Sequence, residues 1–374
     1  MIKKTKILYV HHAGGFGGAP KSMSYIIKNL DRNECEPILL NITEGPINDF
    51  FRQELNCSLI IDSRARPFHG STVVGTSIRM FFRNWICLLP SIIIAYKHIK
   101  TIKPDLLHLN STCLLSFAIA SKLLNVKTIC HVREPLRVGF WGMPLSFFNN
   151  KCVNGYIAIS NFDLKSLGNI PNFIKRKVIY NFVDKFYVKN YTKENHLKKS
   201  LNLTNSDVVF LYLARFSKSN GWDELIEMAK NIESKNIYFV LLGASNESHY
   251  VSSNGNVHIL PFSTNIDMYL EDADVFVCPF VEPHFARGII EASAYSLPCL
   301  GNNIGGVNEL ILHNQTGYLY NNEKEFVKYC EELSTNIGLR NELGINAYNF
   351  AKENFNIEHN LKATYEFYSE FIQD

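Results

Sequence analysis

Val275 to Gly306, VFVCPFVEPHFARGIIEASAYSLPCLGNNIGG, is the stretch whose reading decides the fold. The apolar run Val275 to Pro279 reads as a buried strand, the polar residues after it as a loop, and the next segment as a short helix stopped by Pro298. A small strand at Cys299 to Gly301 and a glycine-pair turn complete the unit. Two carboxylates, Glu282 and Glu291, flank the loop and the helix start. In an open parallel sheet, ligands bind beyond the carboxyl ends of the strands, and the amino end of the next helix offers free N–H groups to an anion. Glu282, His284 and Arg287 at such a place predict a site for a ligand that carries both hydroxyls and negative charge. Read alone, the two acids could equally be solvated side chains around a surface helix. Other stretches, however, place polar residues at the same kind of edge.

Working outward, the amino-terminal side begins with Lys6 to Val10, a short apolar run that reads as a fully buried parallel strand. It leads into His11, His12 and the loop AGGFGGAPKSM, then an apolar-periodic segment from Ser24 to Leu30. Glycines in a strand-to-helix loop let backbone N–H groups approach a ligand without a Cβ in the way. The spacing is neither a dinucleotide fingerprint nor a P-loop. Further strands are expected at Glu36 to Asn41, Ser58 to Asp62, Asp105 to Leu109, Val126 to Cys130, Gly155 to Ile159 and Val178 to Tyr180. The last four end in an abrupt switch to hydrogen-bonding residues: Asn110-Ser111-Thr112, His131-Val132-Arg133-Glu134, Ser160-Asn161 and Asn181. A switch repeated at successive strand ends predicts one polar edge. Beyond a polar, lysine-rich stretch the pattern resumes, with strands at Val208 to Leu213, Ile237 to Leu242 and Val257 to Leu260. The first of these runs into Ala214-Arg215-Phe216-Ser217-Lys218-Ser219-Asn220-Gly221 and a helix from Trp222 to Ile232. The last helix, Ile357 to Ile372, carries Leu361, Tyr365, Tyr368 and Ile372 as an apolar stripe.

At 374 residues the chain exceeds what one core usually supports, so two domains of roughly 150 to 200 residues are expected. We expect boundaries at residues 1–183, a linker at 184–206, a second domain at 207–350 and a carboxyl-terminal helix at 351–374 that packs back on the first. Net charge is +3 from 38 basic and 35 acidic residues, too balanced for a nucleic-acid binder. The nine cysteines are scattered without a CxxC and read as reduced core residues. The lysine-led start runs straight into a strand and does not read as a signal peptide. Residues 72 to 103 are apolar and basic, with Arg79, Arg83, Lys97, Lys100 and Lys103 around an apolar centre from Trp85 to Tyr96. With Pro90 in its middle, that centre is too short to span a bilayer. It reads either as helices packed under the sheet or as a face lying against lipid headgroups.

Taken in order, GGFGGAPKS, PDLLHLNS, HVREP, IAISNF, VIYNFVD, LARF, EPHFARGIIEASAYSLPCLG, GGVNELI and TGYLY resemble the retaining family 4 glycosyltransferases, "glycosyl transferases group 1", over nearly the whole chain. The resemblance implies the α/β GT-B fold, two facing Rossmann-like doubly wound domains with a cleft between them. It implies that Glu291 accepts hydrogen bonds from ribose hydroxyls and Glu282 from donor-sugar hydroxyls. Arg215 would neutralise the diphosphate, Lys218 could reach it from the same loop, and backbone N–H groups of Phe285, Ala286 and Arg287 would share in holding the donor. Gly17 and Gly18 would approach donor phosphates or acceptor, His131 would stand at the reacting sugar, and Arg133 and Glu134 would line the acceptor side or pair with each other. The chain departs from the pattern in two places: Glu282 and Glu291 enclose one residue more than is usual, and Asn220 stands where a lysine is common.

The implied activity is metal-independent hexosyl transfer, of a hexose or N-acetylhexosamine, from a UDP- or GDP-sugar to a saccharide or lipid-linked acceptor in bacterial surface glycan biosynthesis. It uses no cofactor beyond the sugar nucleotide. The implied location is cytoplasmic, with contact to an anionic inner membrane face as an extension. Asp272 and Asp274 precede a strand and do not end one, so a DxD-type metal site is disfavoured. The alternatives are a sugar-nucleotide-binding, non-catalytic subunit of a glycan assembly complex, or a sugar-nucleotide 2-epimerase, for which the first domain shows no acid/base carboxylate pair.

Overall fold

The computed structural model describes residues 4–188, 195–244, 250–252, 255–263 and 265–372. Two compact units emerge. The first runs to Asn181 and takes in the chain again from Glu358; the second is Phe182–Ile357.

In the first unit, seven strands form one sheet: β1 (Thr5–His11), β2 (Cys35–Asn41), β3 (Ser58–Ile61), β4 (Leu106–Leu109), β5 (Lys127–Val132), β6 (Gly155–Ala158) and β7 (Lys175–Val178). All are parallel, in the order β3-β2-β1-β4-β5-β6-β7. Helices α1 (Gly18–Lys28), α2 (Ile47–Glu54), α3 (Ile78–Ile102), α4 (Leu115–Leu123), α5 (Met143–Cys152) and α6 (Asn161–Ser166) connect them. The strand order reverses between β1 and β4, and that is where a doubly wound sheet opens a crevice. Parallel strands are covered on both faces, which is why β1 and β4 read as unbroken apolar runs. The edge strand β7 differs from expectation: it is the charged segment KRKV, not Val178 to Tyr180, because an edge strand with a neighbour on one side only leaves Lys175 and Arg176 in water. His131 lies inside β5 and not just past it.

The terminal helix, Ile357–Ile372, buries Leu361, Phe367, Tyr368 and Phe371. It closes on β6 so tightly that a Cβ on Gly155 would lie 2.6 Å from Phe371 Cζ. The hydroxyl of Tyr368 is 2.6 Å from His108 Nδ1.

Helix α3 is one continuous helix of 25 residues running through Pro90. Proline removes one backbone donor. Pro90 and Ile86, whose carbonyl loses its partner, both face outward.

The second unit holds α7 (His196–Ser200), β8 (Val208–Leu213), α8 (Trp222–Ala229), β9 (Ile237–Ala244), β10 (Tyr250–Val251), β11 (Val257–Pro261), α9 (Asp267–Asp272), β12 (Val275–Cys278), α10 (Arg287–Ala294), β13 (Cys299–Asn302), β14 (Gly317–Tyr320), α11 (Glu323–Thr335) and α12 (Ile337–Asn354). Its sheet runs β10-β11-β9-β8-β12-β13-β14, parallel except for β10 on β11. The reversal now falls between β8 and β12, so the two sheets repeat one winding. A core of Phe210, Leu225, Phe239, Val277, Leu300 and Phe326 lies on one side of this sheet.

Of the stretch 184–206 expected as a linker, residues 189–194 lie outside the described residues. The rest packs within the second unit. Tyr187 N–H donates to the Ala294 carbonyl at 2.9 Å, and Lys198 pairs with Asp274 at 2.8 Å with both side chains buried. Asp272 and Asp274 are occupied in this way: Asp272 accepts from Leu197 N–H and Asp274 from Val209 N–H, each at 2.9 Å. All nine cysteines are free thiols.

Candidate functional site

The expected site residues divide between the two units. In the second, all of them gather at the β8/β12 switch point. Arg215 and Lys218 stand in the loop after β8. Both are exposed, and neither forms a salt bridge among the described residues. That loop closes on one carbonyl: Arg215 C=O accepts from Tyr212 Oη at 3.1 Å, Ser217 N–H at 2.9 Å and Asn220 Nδ2 at 2.8 Å. Asn220, standing where a lysine was expected, therefore fixes the loop that carries the two cations. Stacking of Phe216 on Trp222, with ring centres 5.0 Å apart, holds the same loop from its other side.

The Glu282 loop is tied to this one through the carbonyl of Ser219, which accepts from Val281 N–H at 3.1 Å and Glu282 N–H at 3.2 Å. Two glycines with left-handed backbones make the fit possible. Gly221 has φ +64, and a Cβ there would sit 2.0 Å from Pro279 O; Gly306 has φ +84, and a Cβ there would sit 2.5 Å from the His284 carbonyl. His284 folds back inside the loop. Its Nδ1 is 2.7 Å from Glu282 O, and its ring stacks on Phe280 at 4.3 Å. Burial pushes its pKa down to about 4, so the ring is neutral. His284 is thus turned into the loop, and Glu282 stays half-buried beside the cation loop.

Phe285 and Ala286 are buried at the start of α10. The first turn of that helix carries no acid and its N-cap no capping side chain, so its amino end is left for an anion. Gly288 brings the helix close to the sheet; a Cβ there would meet Phe276 Cζ at 2.6 Å. Arg287 donates from Nε to Glu291 Oε1 at 2.8 Å and from Nη2 to the Phe182 carbonyl at 3.1 Å. Its guanidinium therefore orients Glu291, a role the sequence reading did not give it.

In the first unit the β1/β4 edge carries a buried polar network centred on Arg133. Its Nε donates to Asn110 Oδ1 at 2.7 Å, Nη1 to Asn181 Oδ1 at 3.2 Å and Nη2 to His131 Nδ1 at 3.3 Å. Asn181 Oδ1 also accepts from Ser22 Oγ at 3.1 Å. A guanidinium has donors only, and this fixes everything around it. Asn110 must turn its oxygen to Arg133, so its amide nitrogen faces His11 Nδ1, 3.0 Å away. His11 and His131 both accept at Nδ1, and the neutral rings therefore carry their proton on Nε2. Burial first, then His12 and Arg133 for His11 and Arg133 and His108 for His131, hold both pKa values well below the ordinary one. His131 is only 4% exposed, and neither Nε2 has a partner among the described residues. What this edge presents is a pair of imidazole N–H donors, not a base.

Glu134 is half-buried next to this network. Gly17 and Gly18 open α1, whose amino end likewise carries no acid in its first turn. Open space faces Gly15, and a Cβ on Gly17 would come no nearer than 4.0 Å to anything. The sequence reading passed over His11, Asn110 and Asn181 as site residues; the apolar-to-polar switch at their strand ends was the available signal.

Residues 193–350 match the family model described as "Glycosyl transferases group 1". That segment is similar to a glycosyl transferases group 1 domain. The chain is 28% identical over 280 residues to the UDP-Gal:alpha-D-GlcNAc-diphosphoundecaprenol alpha-1,3-galactosyltransferase of Escherichia coli, covering 65% of this chain and 71% of that one. It is 25% identical over 203 residues to the capsular polysaccharide biosynthesis glycosyltransferase CapM of Staphylococcus aureus, covering 51% and 53%. Among solved structures, Anabaena HepE in complex with UDP superposes with TM-score 0.78 at 18% identity, over 98% of this chain and 100% of that one. The likeness shows that the chain has the GT-B fold.

Proposed function

We propose that this chain is a retaining, metal-independent hexosyltransferase that takes a hexose or N-acetylhexosamine from a uridine diphosphate sugar. The acceptor is a saccharide or a lipid-linked saccharide of a bacterial surface glycan, reached at the cytoplasmic face of an anionic membrane. The observation that carries the reading is the β8/β12 edge. Two cations without a salt bridge among the described residues, Arg215 and Lys218, share a knitted loop pair with Glu282, next to the uncapped amino end of α10 and the braced carboxylate of Glu291. A departing diphosphate gains negative charge, and preorganised cations and helix N–H groups stabilise it most where they need no rearrangement. Carboxylates suit the hydroxyls: Glu291 for the ribose, Glu282 for the sugar. The relatives support uridine as the base, since one is a UDP-galactose enzyme and the HepE structure holds UDP.

In the first unit, His131 contributes a fixed N–H and orients a sugar hydroxyl; it accepts no proton. Arg133 sets that polarity.

A thermal-shift panel of UDP, GDP, ADP and CMP against wild type, Glu291→Ala and Glu291→Gln tests the donor site. Stabilisation by a ligand at a hundred times its Kd is about 2.7 kcal/mol. UDP should stabilise the wild type and lose most of that effect in both variants. Equal stabilisation of all three proteins would remove Glu291 from the site, and no stabilisation by any nucleotide would sink the reading.

A further inference from the structure

Helix α3 buries one face and leaves a second apolar face uncovered. Met80, Asn84, Ser91, Ala95 and Ile99 point inward. That inner face is also pinned by polar contacts: Asn84 Nδ2 donates to the His69 carbonyl at 2.8 Å, and Ser91 Oγ accepts from Arg66 N–H at 2.9 Å. Across the helix, Ile78, Phe82, Trp85, Ile86, Leu89 and Ile93 share one stripe, spaced at three, four and seven residues, and all are exposed; Ile86 is 72% and Leu89 66% exposed. Phe81 extends the patch by stacking on Phe140, 4.7 Å away, in a loop that also leaves Val138 96% exposed. Single exposed apolar residues are ordinary, but a continuous stripe along a 25-residue helix marks an interaction surface.

Charge indicates what covers it. The chain as a whole is nearly neutral, yet residues 63–104 contain no aspartate or glutamate and seven lysines and arginines. Arg79, Arg83 and Lys97 lie along one flank of the stripe, Lys100 and Lys103 lie at its end, and none of the five forms a salt bridge among the described residues. A protein partner is met by apolar contact with charge of both signs. An apolar stripe edged by cations alone fits a lipid interface, where side chains enter the acyl boundary and lysines and arginines meet anionic headgroups.

We propose that the first unit docks on an anionic membrane surface through the outer face of α3, with the helix lying in the plane of the interface. Among the described residues, α3 is the one helix long and apolar enough to cross a bilayer. Crossing would strip Asn84 and Ser91 of their partners and expose them to lipid, whereas lying flat keeps every inner contact. The inference deepens the membrane-side acceptor reading above but rests on a different observation, so each can fail alone.

The test is co-sedimentation of the full chain with vesicles of phosphatidylcholine alone or with one third phosphatidylglycerol, at low and high salt. A brominated-lipid series reads Trp85 fluorescence in parallel, taken as the difference between the wild type and Trp85→Phe because Trp141 and Trp222 also emit. Binding should require the anionic lipid and weaken at high salt, and Trp85 should be quenched by bromines placed near the headgroup. Ile86→Asp with Leu89→Asp, both far from the core, should keep the wild-type melting temperature and its response to UDP while binding vesicles at least about tenfold more weakly. Arg79→Glu with Arg83→Glu should show the same loss at low salt. The proposal falls if the wild type stays in the supernatant with anionic vesicles at low salt. It falls equally if the Ile86/Leu89 variant binds as the wild type does, or if sedimentation velocity shows the face buried between two copies of the chain.

Discussion

Replacing Arg133 with methionine tests the polarity argument at its source. The guanidinium supplies Asn110 Oδ1, Asn181 Oδ1 and His131 Nδ1. Methionine fills similar space and supplies none. Asn181 keeps the Ser22 hydroxyl, so two buried acceptors, on Asn110 and His131, are orphaned. Each orphan costs roughly 1–3 kcal/mol, giving a gross loss of about 2–6 kcal/mol. Removing a charge held in the interior offsets part of this, so the expected net loss is about 2–3 kcal/mol by urea denaturation at pH 7.5. Arg133→Lys, which can satisfy one acceptor at a time, should fall between.

The distinguishing readout is the histidine tautomer, from long-range proton–nitrogen correlation spectra of protein labelled at histidine. The wild type should show His131 and His11 protonated on Nε2. In Arg133→Met both lose the constraint on Nδ1, and both should titrate at higher pH because a nearby cation no longer opposes protonation. A variant that is as stable as the wild type, with the same tautomers and unmoved titration, would refute the account of this network.

Two further outcomes follow from the same geometry. Gly221→Ala puts a side chain into a left-handed backbone and 2.0 Å from Pro279 O. The conformational term alone is about 1 kcal/mol and the clash adds to it, so the variant should lose at least about 2 kcal/mol and shift Glu282 enough to weaken UDP binding in calorimetry. Wild-type affinity would show that the two loops move independently. Stability should also fall with acid well before the carboxylates titrate. His11, His108 and His131 are buried neutral, with His108 held near 3 against an ordinary 6.5. A depressed histidine pKa means that the unfolded chain takes up the protons first. The contribution is therefore complete above pH 6.5 and is lost as pH drops below it, at about 1.4 kcal/mol per pH unit for each histidine. From pH 7 to 5.5 the three together predict a loss of about 4 kcal/mol in urea unfolding; a flat profile would mean that one or more of them is already charged in the fold.

The two-sheet architecture is legible in the sequence because parallel strands covered on both faces must be continuous apolar runs. The runs KILYV, DLLHL, VVFLYL and VFVCP each appear as strands within a residue or two. The edge strand β7 escapes that rule, since an edge needs no second apolar face, and its charged KRKV gives no such signal. The polar switch at strand ends marks where site residues cluster, but not which of them touch. Arg133 meets Asn110 across 23 residues and Asn181 across 48. Once the strands are paired, the guanidinium's lack of any acceptor fixes the tautomers of two histidines, one of them reached through an asparagine. The resemblance likewise implies one residue more than usual between Glu282 and Glu291; only the fold turns His284 inward and ties the loop to Ser219. Helix α3 marks the same division. Its composition is apolar all round and basic at the flanks, and that is fixed by the sequence. Which face is covered depends on the sheet and helices it packs against, and packing between distant segments is decided only when the chain has folded.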